Sequence, residues 1–152
     1  MFIRCAQTVA SVSLGTDLVP KDFSFEAAIE SLAKEGMDNQ ATIVLEQLIA
    51  SGVVEKRAPG GQLLLRFALD PAAEYLAAVR QLFKMKTASQ KAWKTYLSAL
   101  EQMDGYPTGP EGYLAALATC YRTFKKDFSL PDVFFPWERV PQSARSTLVD
   151  GG

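Results

Sequence analysis

A chain of 152 residues, with 48% hydrophobic and 22% charged side chains, holds enough apolar material for one domain with a real core or two small units sharing an interface. It is neither disordered nor fibrous in composition. A formal net charge of −1 offers no bulk attraction to nucleic acid or anionic membrane, and the absence of histidine excludes histidine-dependent catalysis. Cys5 and Cys120 are too few and too far apart for a disulfide framework or a metal cluster, and their apolar neighbours predict buried thiols.

The charge is mildly split. Residues 1–70 carry 6 Lys/Arg against 9 Asp/Glu, and residues 71–152 carry 10 against 8. Gln7, Thr8, Ser11 and Ser13 interrupt the apolar residues of the first segment, so it does not read as a signal peptide. No stretch reaches membrane-spanning length, and the cytoplasm is the expected compartment.

Phe2, Cys5, Ala6 and Val9 have helical spacing and predict a short first helix ending before Gly15. Turn-forming residues follow, delivering Asp22 and Ser24 as candidate caps for a second helix with Phe25, Ala28, Ile29, Leu32 and Ala33 on one face. Gly36 should end it. Asp38 or Asn39 is expected to cap a third helix, whose Ala41, Val44, Leu45, Leu48 and Ile49 match the helical template without a miss, with Gly52 as its stop. Val53 to Arg57 reads as a strand, turned back by Ala58-Pro59-Gly60-Gly61 into a second strand over Leu63 to Phe67.

Asp70 and Pro71 then stop the strand and start a fourth helix, with Asp70 as its expected cap and Ala72, Tyr75, Leu76, Val79 and Phe83 as its expected apolar face. Thr87 and Gln90 have the spacing of a capping box for a fifth helix with Trp93, Tyr96, Leu97, Leu100 and Met103 along its stripe. Asp104-Gly105-Tyr106-Pro107 breaks it, and Gly109-Pro110-Glu111 starts a sixth with Leu114, Leu117, Ala118, Tyr121 and Phe124 inward. The fifth and sixth helices are expected to form an antiparallel hairpin. Beyond it, Pro131, Pro136 and Pro141 predict an extended tail, in which Phe134, Phe135 and Trp137 should pack across the helices and the last ten residues should be loose.

Three helices, a two-stranded hairpin and a helix behind it make a mainly helical fold with winged-helix order. The expected organisation is a winged-helix domain over 1–83, a helical hairpin over 84–127 and a Pro-containing tail over 128–152. If such a fold read DNA, Asn39 and Gln40 at the third helix with Lys56 and Arg57 on the hairpin would make the contacts. The phosphate term is missing, however, because no basic residue lies between Lys34 and Lys56, and Glu46 repels the backbone.

Other constellations read as structure. Lys84, Lys86, Lys91 and Lys94 cluster at the joint of the fourth and fifth helices and could hold a phosphate, but solvated lysines on exposed faces are the favoured reading. Asp70 and Glu74 lie four apart without an acid, nucleophile or metal partner. Gly60-Gly61 lacks the Lys-Ser/Thr of a phosphate loop. Gly151-Gly152 reads as a chain end.

The segment from Arg66 to Ala78, with Phe67, Asp70, Pro71, Glu74, Tyr75 and Leu76 within it, resembles the end of the winged-helix region of NACHT-type (STAND class) signalling ATPases. There a strand ending in Phe precedes a helix carrying Gln-Glu-Tyr-Leu-Ala-Ala. Trp93 to Leu97 and Gly112 to Leu117 are similar to the helical region that follows, so the likeness covers most of residues 20–126. Many members carry a nucleotide-sensing His where this chain has Leu69, and the chain has no Gly-Lys-Ser/Thr loop and no acidic strand for magnesium. The resemblance therefore implies a non-catalytic lid that links a nucleotide-binding domain to a sensor or effector. No cofactor is expected, and the partners would be protein domains of the same or another chain rather than nucleic acid or membrane. Oligomeric state is left open.

Overall fold

The structure, a computed structural model, describes residues 2–138. Among them six α-helices and one small two-stranded antiparallel sheet make a mainly helical fold. Helix α1 (Phe2–Leu14) buries Cys5, Val9, Ala10 and Leu14, and it ends where Gly15 takes a positive φ of 66°. Its two buried hydroxyls find backbone acceptors, Ser13 donating to the Lys21 carbonyl at 3.3 Å and Thr8 to the Arg4 carbonyl at 3.3 Å.

Ser24 caps α2 (Phe25–Lys34), its Oγ accepting from the Ala27 amide at 3.0 Å. Gly36, at φ 76°, turns the chain out of the helix. The expected cap of the third helix is corrected: Asp38 and Asn39 lie in a 3-10 turn, and α3 (Ala41–Ala50) begins after Gln40 with no side-chain cap. The turn leads straight into the helix, so no orphan amide faces Asp38 or Asn39.

Strands β1 (Val54–Arg57) and β2 (Leu64–Phe67) pair in a register that sets Val54 against Phe67 and Arg57 against Leu64. Gly60 and Gly61, both at positive φ, make the turn between them. The other edge of β2 is also used. Phe23 donates to Leu65 at 2.8 Å and accepts from it at 2.7 Å, which brings the start of α2 onto the hairpin.

Helix α4 (Asp70–Lys84) departs from expectation at its start and along its face. Leu69, not Asp70, is its N-cap residue, and the Asp70 carboxylate is taken by Arg66 at 3.3 Å instead of by a helix amide. Of the expected apolar face only Val79 is fully buried; the deep line is Ala73, Ala77, Ala78 and Leu82. Helices α1 and α6 (Glu111–Phe124) cover α4 from two sides, and alanine lets helix backbones approach where a larger side chain would hold them apart. Ala72, Tyr75, Leu76 and Phe83 are displaced to the flanks.

The cap of α5 (Gln90–Glu101) is Ser89, whose Oγ accepts from Ala92 at 3.1 Å, so the expected Thr87 box does not form. Helices α5 and α6 meet antiparallel through large side chains: Trp93 stacks edge-on against Tyr121, and the Tyr96 and Tyr113 hydroxyls share a 2.7 Å hydrogen bond. The closer backbone partner of α6 is α4.

After α6 the chain crosses the helices. Tyr121 donates to the Pro131 carbonyl, Gln90 to the Asp132 carbonyl, and Leu130 and Phe135 are buried. Phe134, expected to pack, is exposed, because alternate residues of an extended segment point away from the surface it follows. Pro141, the last ten residues and Gly151-Gly152 lie outside the described residues. The apolar core is continuous from α1 through Leu65 and Trp93 to Phe135.

Candidate functional site

The joint between β2 and α4 combines a buried anchor with an exposed apolar rim. Phe67 is buried with its ring 6.2 Å from that of Phe23. Two residues on, Leu69 is 68% exposed, and Val53, whose carbonyl accepts from the Ala68 amide at 2.9 Å, is exposed as well. Asp70, Pro71 and Tyr75 are exposed, Leu76 is half-buried, and a shallow groove of about 320 Å³ runs from Pro71 and Tyr75 to Ala115 and Ala116 on α6. The six residues of the strand–helix segment are thus split between core and surface.

Glu74 sits in the same joint with its carboxylate packed over Gly112, where any Cβ would collide with it. Burial raises its pKa above the ordinary 4.5, and the neighbouring Asp70 and Glu111 push it the same way. Burial raises the pKa of both thiols, Cys120 to about 11, which disfavours the thiolate form. No group of three or more cysteine and carboxylate side chains converges as a metal site among the described residues.

The exposed face of α3 carries Thr42, Ile43, Glu46 and Gln47 without a cation, and Ile43 is 58% exposed. Asn39 and Gln40 are exposed in the preceding turn, and Lys56 and Arg57 are exposed on β1. Arg66 on β2 is neutralised by Asp22 at 3.5 Å and Asp70 at 3.3 Å, while Arg57 lies 3.8 Å from Glu55. Lys56 is the one hairpin cation with no ion pair among the described residues.

Neither family models, curated proteins nor solved structures match this chain.

A second concave region lies at the far end of α4. Helices α1 and α4 run antiparallel, and a cavity of about 400 Å³ opens between the first half of α1 and the last turn of α4. Among the described residues, Arg4, Arg80, Lys84 and Lys86 line it against a single acid, Glu35. Glu35 pairs with Arg80 and accepts from the Thr8 hydroxyl at 3.1 Å, and Arg80 also donates to Ser11 at 3.4 Å. Burial lowers the pKa of Arg80, and burial together with Arg80 lowers that of Lys84. The four clustered lysines, all exposed, are divided: Lys84 and Lys86 line this cavity, whereas Lys91 and Lys94 lie on α5 away from it. Arg4 and Arg80 are 76 positions apart in sequence, and only the antiparallel docking of α1 on α4 brings them together.

Proposed function

We propose that this chain is a non-catalytic interaction module, a winged-helix lid of the NACHT type that docks on a nucleotide-binding domain and relays its state to a sensor or effector. The order of α1, the Phe23 bridge, α2, α3, β1 and β2 supports the winged-helix reading, with the bridge as a rudimentary first strand beside β2. The observation that carries the functional reading is the exposed apolar joint. Leu69 and Val53 are both exposed at the joint where the resemblance would place the lid's contact with a nucleotide-binding domain, and burying such side chains against a partner is favourable by about 25 cal/mol per Å². Leucine at position 69 cannot donate a hydrogen bond to a phosphate, so the contact is an apolar one.

A photo-crosslinking amino acid in place of Leu69, introduced in the source cells, tests this directly. The expected product joins position 69 to a segment of the same or another chain that carries a Gly-Lys-Ser/Thr phosphate loop. A crosslink only to segments lacking such a loop would overturn the reading, as would tight, saturable binding of duplex DNA through Lys56 and Arg57.

A further inference from the structure

We infer that the cavity between α1 and α4 is a binding site for a multiply charged phosphoryl anion. This does not depend on the docking role proposed above, because the cavity lies at the C-terminal end of α4 and Leu69 precedes its N-terminal end, about 20 Å away along a 15-residue helix.

Four cations line one cavity, and the only acid lining it among the described residues is already bonded to Arg80 and Thr8. Arg4, Lys84 and Lys86 have no ion pair among the described residues. Like charges that share one cavity repel, and surface cations ordinarily turn apart or pair with neighbouring acids. Here Arg4 and Lys84 are exposed at its rim, and the other two are fixed by neighbours. Arg80 is half-buried in its network with Glu35 and Ser11, and the Lys86 ammonium lies 5.7 Å from the centre of the Phe128 ring. The two helix ends do not decide the sign of the field, since the first turn of α1 is the positive end of one dipole and the last turn of α4 the negative end of another. The side chains decide it, and their sum favours an anion of charge two or more. A cavity of about 400 Å³ is within the usual size of small-ligand sites, and guanidinium and ammonium groups from two helices suit the several oxygens of a phosphoryl group.

Calorimetric titration of the full chain with inorganic pyrophosphate, at an ionic strength of about 0.15 M, tests the site. Saturable one-to-one binding is expected. Lys84→Gln and Arg4→Gln should each weaken it about tenfold or more, the usual effect of losing one charge-assisted hydrogen bond, while Lys91→Gln on α5 leaves it unchanged. Glu35→Gln should tighten binding by removing the competing charge, a gain that mere loss of structure does not produce. Co-sedimentation with vesicles bearing phosphomonoester headgroups, competed off by pyrophosphate, would identify a lipid as the source of the anion. Pyrophosphate binding without co-sedimentation would identify a free phosphorylated molecule. Absence of saturable pyrophosphate binding, or equal loss in Lys91→Gln and Lys84→Gln, would overturn the proposal.

Discussion

The Glu74 carboxylate of α4 fills the space a side chain at Gly112 of α6 would need, and its titration has a pH signature. A carboxyl whose folded pKa is raised binds its proton more tightly in the folded state. The stability it contributes is fully present below the ordinary 4.5 and is lost as the pH rises through its folded value. Glu74→Gln should therefore match the parent below about pH 4 and exceed it in stability at pH 7. Asp17 acts in the opposite sense, since the hydrogen bond from Lys21 holds its pKa down, but it is exposed and common to both proteins, so it cancels in the comparison. Urea unfolding of both proteins at the two pH values is the measurement, and a Gln variant weaker at neutral pH would mean that the carboxylate is stabilising where it sits. Gly112→Ala adds a helix-favouring residue worth about 1 kcal/mol, yet its Cβ would enter the Glu74 carboxylate. It should gain more in a Glu74→Ala background than alone, and a thermodynamic cycle reads that coupling.

At the scale of elements, α4 is where sequence and structure part. Its existence and extent to within a residue or two, like those of the other helices, were legible from Pro71, the apolar spacing and the flanking glycines, because these act locally on the backbone, but the capping residues of α3, α4 and α5 were not. Its buried face was not. Large apolar side chains mark a face only when a single neighbour covers the helix, and α4 lies between two, with Ala73, Ala77 and Ala78 at the close approaches. Ser89 and Thr87 present the same problem in miniature, two hydroxyls two positions apart with only the helix start to choose between them. Leu82→Ala, at a fully buried position, should cost roughly 2–5 kcal/mol. Leu76→Ala, on the half-exposed flank, should cost clearly less. Ser89→Ala should cost about 1 kcal/mol and Thr87→Ala much less, since only Ser89 satisfies a helix amide. Denaturant midpoints rank the four variants, and Leu76→Ala exceeding Leu82→Ala would return the buried face to the flank.

Across the whole molecule, the element order follows from the sequence but the cavity between α1 and α4 does not, because no local pattern couples Arg4 to Arg80. What holds the two ends of the chain in one body is the continuity of the core. Leu65 of β2 is fully buried and bonded to Phe23 on one side of the molecule, and Trp93 of α5 is fully buried against Tyr121 on the other. If the core is one cooperative unit, damage at Leu65 must be felt at Trp93. Leu65→Ala removes buried methyl groups and should lower stability by roughly 2–5 kcal/mol. In a Trp137→Phe background, where Trp93 is the only tryptophan, its fluorescence then reports on the α5–α6 side. The fluorescence transition should coincide with the loss of helical circular dichroism in the parent and shift with it by the same amount in Leu65→Ala. A Trp93 midpoint that stays in place while part of the helical signal melts early would divide the chain into two units near Lys84. The α1–α4 cavity would then belong to the weaker unit, and pyrophosphate would raise the midpoint of that transition alone.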